Sequence, residues 1–469
     1  MNREKNLLKN TGIIAIGQLS SKLFTFLLLP VYTSLLLPDD YGTIDVLQTV
    51  ISLALYVITL QLECAVFRYI IENRDDIENQ KSYVSSGLMA VGIMLLLSTL
   101  AIVVVNIFIK IPFIELFILS IFSQSLYFYF SNMARGLGKN LDYAITSFIV
   151  TFSSLVTNIV LIVVFKQGAY SILVALILSN FIGSVYYFFK LKIWSYISLS
   201  YYSKGKLKTM LSYSLPLIPN AVSWWIANTS DRIIILLFIG ASANGIYAAA
   251  NKMPTIYTTL FSVFNVAWTE SVSLAMKDKD RAEYIDKMMN QSFSFFSFLD
   301  LGIIVCISLF FNLLIGEQYA ESYIHIYILL IAIFVNSLCS LQGGILGGLK
   351  NTKAIGWTTA VGAVVNFLFN VCFVKFIGLY AASLSTLVSY IVIYYCRNIA
   401  VNKETEYAFS KKYILELVVM TLAVTAGYLV RNYYVNAVIL IILVIWGISR
   451  NQEILQMIFS GLVKKIKGR

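Results

Sequence analysis

The chain has 469 residues, 59% of them hydrophobic and 13% charged, with a formal net charge of +11 and a mean hydropathy of +0.79. So apolar a composition excludes a soluble globule, which could not hide that much surface. The positive charge does not signal nucleic-acid binding either, because most of the 35 Lys and Arg fall in alternate gaps between long apolar runs, where basic residues mark the cytoplasmic side of a membrane.

A bilayer core about 30 Å thick takes about 20 apolar residues per helix, and that ruler predicts about fourteen spans. Arg3, Lys5 and Lys9 precede the first, 11–37. Span 43–71 returns to an inner gap with Arg74 and Lys81, and spans 84–109 and 113–134 lead to Arg135 and Lys139. After spans 143–165 and 169–189 comes the longest inner gap, with Lys190, Lys192, Lys204, Lys206 and Lys208 among tyrosines. It suits a short helix on the cytoplasmic leaflet or a solvated connector. Spans 211–239 and 243–276 lead to Lys277, Lys279, Arg281 and Lys287; spans 288–315 and 323–346 lead to Lys350 and Lys353. Spans 354–374 and 379–397 lead to Arg397, Lys403, Lys411 and Lys412, and spans 413–430 and 435–448 to Arg450 and the basic tail. The opposite gaps hold only Lys110, Lys166, Lys375 and Arg431. Both termini are therefore expected in the cytoplasm, with anionic lipid headgroups against the basic rim. No outer gap is long enough for a catalytic domain, and no cleavable signal is expected.

The chain repeats itself. RGLGKNLDYAITSF from Arg135 aligns with GGLKNTKAIGWTTA from Gly347, so that Lys139 and Asn140 meet Lys350 and Asn351; Asn158 then falls near Asn370. A fainter echo sets LLLPDDYGTIDVL, around Gly42, against FIGASANGIYAAA, around Gly245. Both copies begin on the inner side, which predicts two parallel six-helix bundles, 1–190 and 211–400, joined by a basic connector at 191–210 and followed by two helices and a basic tail in 401–469.

Pro30, Pro216, Pro219 and Pro254 are expected to interrupt helices and act as gates or hinges, since each removes a backbone donor. Ionisable groups in hydrocarbon cost at least about 2.5 kcal/mol each, so they mark a polar cavity. By depth, Lys22 and Asp300 come near the midplane, Asp231, Arg232 and Lys252 in the outer half, and Glu63, Arg68 and Glu270 toward the cytoplasm. Asp231 and Arg232 point about 100° apart on a helix. One division pairs Asp231 with Lys252 and leaves Arg232 to hold phosphate oxygens bidentately; the other lets these charges only lock helices. Asp300 or Glu63 could bind H⁺ or Na⁺ and couple transport to an ion gradient. A single histidine, His325, excludes a catalytic triad and a His-based metal site. The cysteines are scattered singly, as small packing residues. GGILGGLKN from Gly343 lacks the Gly-Lys-Ser/Thr ending of a phosphate loop, so no ATP site is expected.

LLLPVYTSLLLPDDYG, LECAVFRYI and SYSLPLIPNAVSWWIANTSDRIIILLFIGASANGIYAAANK resemble the oligosaccharide-lipid flippases (Wzx type) of the polysaccharide transporter family. That family belongs to the superfamily that also holds the multidrug and toxin extruders and the lipid II flippases. The resemblance implies an all-α protein of the bacterial inner membrane with two bundles facing a central cavity. Its implied cargo is an undecaprenyl-diphosphate-linked oligosaccharide, moved to the outer leaflet by alternating access without a cofactor, alongside other polysaccharide-assembly membrane proteins. It implies Arg68 and Arg232 as cavity cations, to which depth adds Lys22 and Lys252. The balance of cations and anions within the spans points to a neutral or mildly charged repeat unit. A cation-coupled multidrug exporter and a polymerase or assembly scaffold are the alternative readings.

Overall fold

The computed structural model describes residues 26–276, 278–405, 407–453 and 456, and every regular element among them is helical. Eleven of these helices are long and apolar enough to cross a membrane. Fourteen spans were expected. Residues 11–25 of the first lie outside the described ones, and three other predicted spans are broken in two.

The first compact unit is Met1–Ala248. It contains α1 (Leu29–Leu35), α2 (Pro38–Ile58), α3 (Leu62–Glu72), α4 (Ile77–Phe108), α5 (Ile114–Gly136), α6 (Asn140–Ile159), α7 (Ser171–Lys190), α8 (Lys204–Ser214) and α9 (Leu217–Phe238), and ends within α10 (Ala241–Lys252). α8, at the end of the expected 191–210 connector, packs on α3 and α4, and α9 packs on α2. α4 shows the composition of a helix in lipid. Its small residues Ser85, Ser86 and Gly87 face the protein, while Leu96 and Phe108 are 70% and 82% exposed, the arrangement lipid favours because large apolar side chains lose nothing by facing it.

The connector is ordered along α4. Ser85 Oγ accepts from the Ser198 N–H and donates to the Tyr196 carbonyl. Ser86 Oγ accepts from the Ser203 N–H. Only from Lys204 onward does it become the short helix that one reading expected, α8, capped by Ser203 Oγ on the Lys206 N–H.

The second unit is Ala249–Arg469, with α11 (Pro254–Ala275), α12 (Arg281–Leu314), α13 (Ser322–Gly348), α14 (Thr352–Ile377), α15 (Leu379–Val401), α16 (Lys411–Val430) and α17 (Tyr433–Arg450). Within it α15 packs on α13 and α14, just as α7 packs on α5 and α6 in the first unit. The stronger sequence repeat thus appears as the same three-helix arrangement in each. The last two helices pack on α12, where a Cβ on Gly447 would lie 2.2 Å from Phe298 Cδ2. Tyr323 and Tyr428 stack at 3.9 Å and each donates its hydroxyl to the other's carbonyl.

Candidate functional site

α2, α9 and α10 bring a buried polar cluster together inside the first unit. Pro38 starts α2 with its missing N–H where no partner is needed, and Asp45 follows two turns later, 6% exposed. Arg232 of α9 sets its Nε 2.7 Å from Asp45 Oδ2, close as an ion pair though not aligned as a hydrogen bond. Asn244 of α10 donates to the Gly42 carbonyl at 3.0 Å and to Asp45 Oδ2 at 3.4 Å. Asp231 accepts from the Tyr247 hydroxyl at 3.1 Å, and Trp225 donates to the Thr49 carbonyl and Ser52 Oγ.

Glycines allow the approach. A Cβ on Gly42 would lie 1.9 Å from the Ala241 carbonyl oxygen, and one on Gly245 would lie 1.9 Å from that of Pro38. The two positions that the fainter repeat equates are therefore pressed against each other.

The second predicted span is interrupted in its middle. Between α2 and α3, Leu60 and Gln61 take positive φ of 53° and 55°, a conformation that costs about 1–2 kcal/mol per non-glycine residue. Thr59 Oγ1 accepts from the Gln61 N–H, and Cys64 Sγ donates to Gln61 Oε1. Glu63 follows, its Oε2 buried without a partner among the described residues. Irregular backbone at membrane depth is tolerated where protein buries it or a wet cavity meets it.

The family model described as "Polysaccharide biosynthesis protein" matches residues 7–269. The chain belongs to that family. Lsg locus putative protein 1 of Haemophilus influenzae is 25% identical to this polysaccharide biosynthesis protein over 280 residues, 58% of this chain and 67% of its own. An inward-facing multidrug resistance MATE family transporter of the MOP superfamily superposes with a TM-score of 0.66 at 15% identity, over 84% of this chain and 100% of that one. The lipid II flippase MurJ, in an inward closed conformation, gives 0.65 at 14% identity over 97% and 99%. At such identities the likeness is one of fold, and it covers nearly the whole of this family member.

The site residues expected in this polysaccharide biosynthesis protein divide by environment. Arg232, expected to be open to an anion, is instead held by Asp45, and its side chain keeps 20% exposure. Arg68 is exposed, paired with Glu72 at 2.8 Å and lying 4.5 Å over the Tyr213 ring. Lys252 is half-buried at the end of α10, and Glu270 is exposed on α11. Asp300 is 2% exposed on α12, with Oδ1 lacking a partner among the described residues. Tyr257 beside it gives its hydroxyl to hydrogen bonding with Ser337. Lys22 lies outside the described residues. Among the prolines, Pro30 and Pro254 sit in the first turns of α1 and α11, Pro216 separates α8 from α9, and Pro219 lies in the first turn of α9.

Three residues of the cluster escape sequence reasoning. Asp45 stands just inside the predicted start of its span and reads as part of the polar turn before it; Asn244 and Tyr247 carry no charge. The alignment of Gly42 with Gly245 is the signal that points to their neighbourhood.

Proposed function

We propose that this protein is a flippase that moves polyprenyl-diphosphate-linked oligosaccharide repeat units across a bacterial inner membrane, from the cytoplasmic to the outer leaflet, by alternating access. The buried Asp45–Arg232 pair carries this reading. It sets a guanidinium, suited to bidentate phosphate binding, within the polar cluster of α2, α9 and α10, against a carboxylate that a diphosphate can replace. Family membership and the MATE and MurJ fold support the transporter class. A lipid carrier can leave its tail in the bilayer while its headgroup follows a wet path beside interrupted helices.

In this scheme Arg232 exchanges Asp45 for the substrate's diphosphate as the protein changes state, with Lys22, Arg68 and Lys252 as further cations along the path. Asp300 and Glu63, each with a buried carboxylate oxygen that has no partner among the described residues, are the groups proposed to bind a coupling H⁺ or Na⁺. Pro216 and Pro254, at helix breaks, are the proposed hinges.

The test is the leaflet distribution of lipid-linked oligosaccharide in a deletion strain carrying wild type, Arg232→Gln, Asp45→Asn or both substitutions. Complete units should accumulate on the inner leaflet without the protein, and the double variant should not restore flipping even where it restores stability. Normal export in the deletion strain, with altered resistance to cationic drugs, would instead assign a multidrug exporter. Full flipping by the double variant would reduce Arg232 to a lock between helices.

A further inference from the structure

Arg135 is half-buried in the last turn of α5 and has no carboxylate at ion-pair distance among the described residues. Its setting follows from the next residue. A Cβ on Gly136 would lie 3.2 Å from the Phe67 carbonyl oxygen, so α5 closes directly on α3. The Arg135 guanidinium carbon then lies 4.8 Å over the Phe67 ring and 5.5 Å over the ring of Tyr143 from α6. Rings meet the face of a guanidinium, whereas its five N–H groups point outward in its plane. In that plane Nη1 reaches Asn132 Oδ1 at 3.5 Å, which is long for a hydrogen bond. Nε and Nη2 have no partner among the described residues, and both stay open to the surroundings.

The turn after α5 does not need this side chain. The Gly138 N–H returns to the Arg135 carbonyl at 3.0 Å and the Lys139 N–H to that of Ala134 at 2.9 Å. In the second copy Lys350 returns to Gly347 at 3.0 Å and Asn351 to Leu346 at 2.8 Å. The same turn is thus built on Gly347, where a Cβ would touch nothing. Depth and charge suggest what the arginine meets instead. α5 has 23 residues, and at 1.5 Å per residue it spans about 35 Å, enough to carry its end out of the hydrocarbon and among headgroups. Two more cations stand at this turn: Arg74, whose Nη2 would lie 4.0 Å from a Cβ on Gly138, and the exposed Lys139. Asp76 and Asp142 nearby are turned to other partners, the Asn79 N–H and the Tyr186 hydroxyl.

We infer that Arg135 binds the phosphate ester of an inner-leaflet lipid edge-on, Nε and Nη2 each donating to a phosphate oxygen. The planar fork matches two such oxygens at once, the rings hold its plane, and Arg74 and Lys139 add attraction. A lysine at this position keeps the charge at the helix end but is a point donor without the fork. The ester has two sources, a bilayer phospholipid and a polyprenyl diphosphate, which present the same oxygens. The inference is independent of what the protein transports.

Native mass spectrometry of the full-length protein tests it, from micelles carrying phosphatidylglycerol or farnesyl diphosphate, with diacylglycerol as the phosphate-free control. Wild type should retain at least one of the phosphate lipids over diacylglycerol. Arg135→Lys should lower that retention by about tenfold, the equivalent of one charge-assisted hydrogen bond, and leave diacylglycerol unchanged. A fall confined to phosphatidylglycerol names a phospholipid as the source, a fall confined to farnesyl diphosphate names the polyprenyl carrier, and a fall in both shows a site open to either. Phe67→Leu keeps the arginine but removes one ring; it should weaken retention by about threefold, the worth of a cation–π contact, and carries the comparison if Arg135→Lys does not fold. Wild type retaining neither phosphate lipid over diacylglycerol, both variants retaining them as wild type does, or an equal loss of diacylglycerol would overturn the inference.

Discussion

Arg232 and Asp45 hold opposite charges where neither is well solvated, so removing one leaves the other buried alone. Arg232→Gln should lower stability by about 2 kcal/mol, read as a fall in thermal midpoint in detergent, and Asp45→Asn added to it should recover most of that loss. Gly42 is constrained by space, not charge. Gly42→Ala places a Cβ 1.9 Å from a backbone oxygen, which side-chain rotation cannot relieve. It should cost about 2 kcal/mol or more, in the range of overpacked cores, and should block flipping if this contact has to form in each cycle. Lipid-linked oligosaccharide accumulating on the inner leaflet would be the readout. Sequence reasoning found Arg232 because a cation in an apolar run stands out. It could not find the partner, because a helix gives each residue a direction only once its neighbours are known. The same limit hid the ring beneath Arg68 and the neutral partners Asn244 and Tyr247.

At the scale of elements, proline and charge gave incomplete guidance. Prolines mark the starts of α1, α2 and α11 and the junction of α8 with α9, yet the break between α2 and α3 contains none. Leu60 and Gln61 turn there through backbone conformations that only their surroundings enforce. Gln61→Gly should be tolerated, whereas Gln61→Val, with a branched side chain at positive φ, should lower the thermal midpoint by the equivalent of about 1–2 kcal/mol. Equal midpoints for the two variants would show that the turn is not strained. The connector gives a second test. Ser85→Ala with Ser86→Ala removes the hydroxyls that hold residues 196–203, and limited proteolysis should then cut that segment sooner than in wild type. The connector's lysines and tyrosines were plain in the sequence, but its attachment depends on two serines in a different apolar run.

At the scale of the molecule, alternating cations and the period of about 211 residues made the all-helical membrane architecture legible, and the same three-helix packing in both units accounts for the stronger repeat. The packing of α8 and α9 on the early helices α2, α3 and α4 was not legible, because no charge or repeat pattern marks contacts between segments so far apart in sequence. Orientation follows from the charge pattern and can be measured. With Lys110→Cys or Lys204→Cys as the only cysteine, a membrane-impermeant thiol reagent should label the first in intact spheroplasts and the second only after permeabilisation. The reverse pattern would invert the topology. The meeting of Gly42 with Gly245 has a further consequence for inheritance. Most duplicated positions are free to diverge once their copies occupy separate surroundings, but these two are each part of the other's surroundings. Neither glycine has a side chain to give up, and each is closed in by a backbone carbonyl from the other's segment, so a side chain gained at either position would part the two segments and both are held to glycine together.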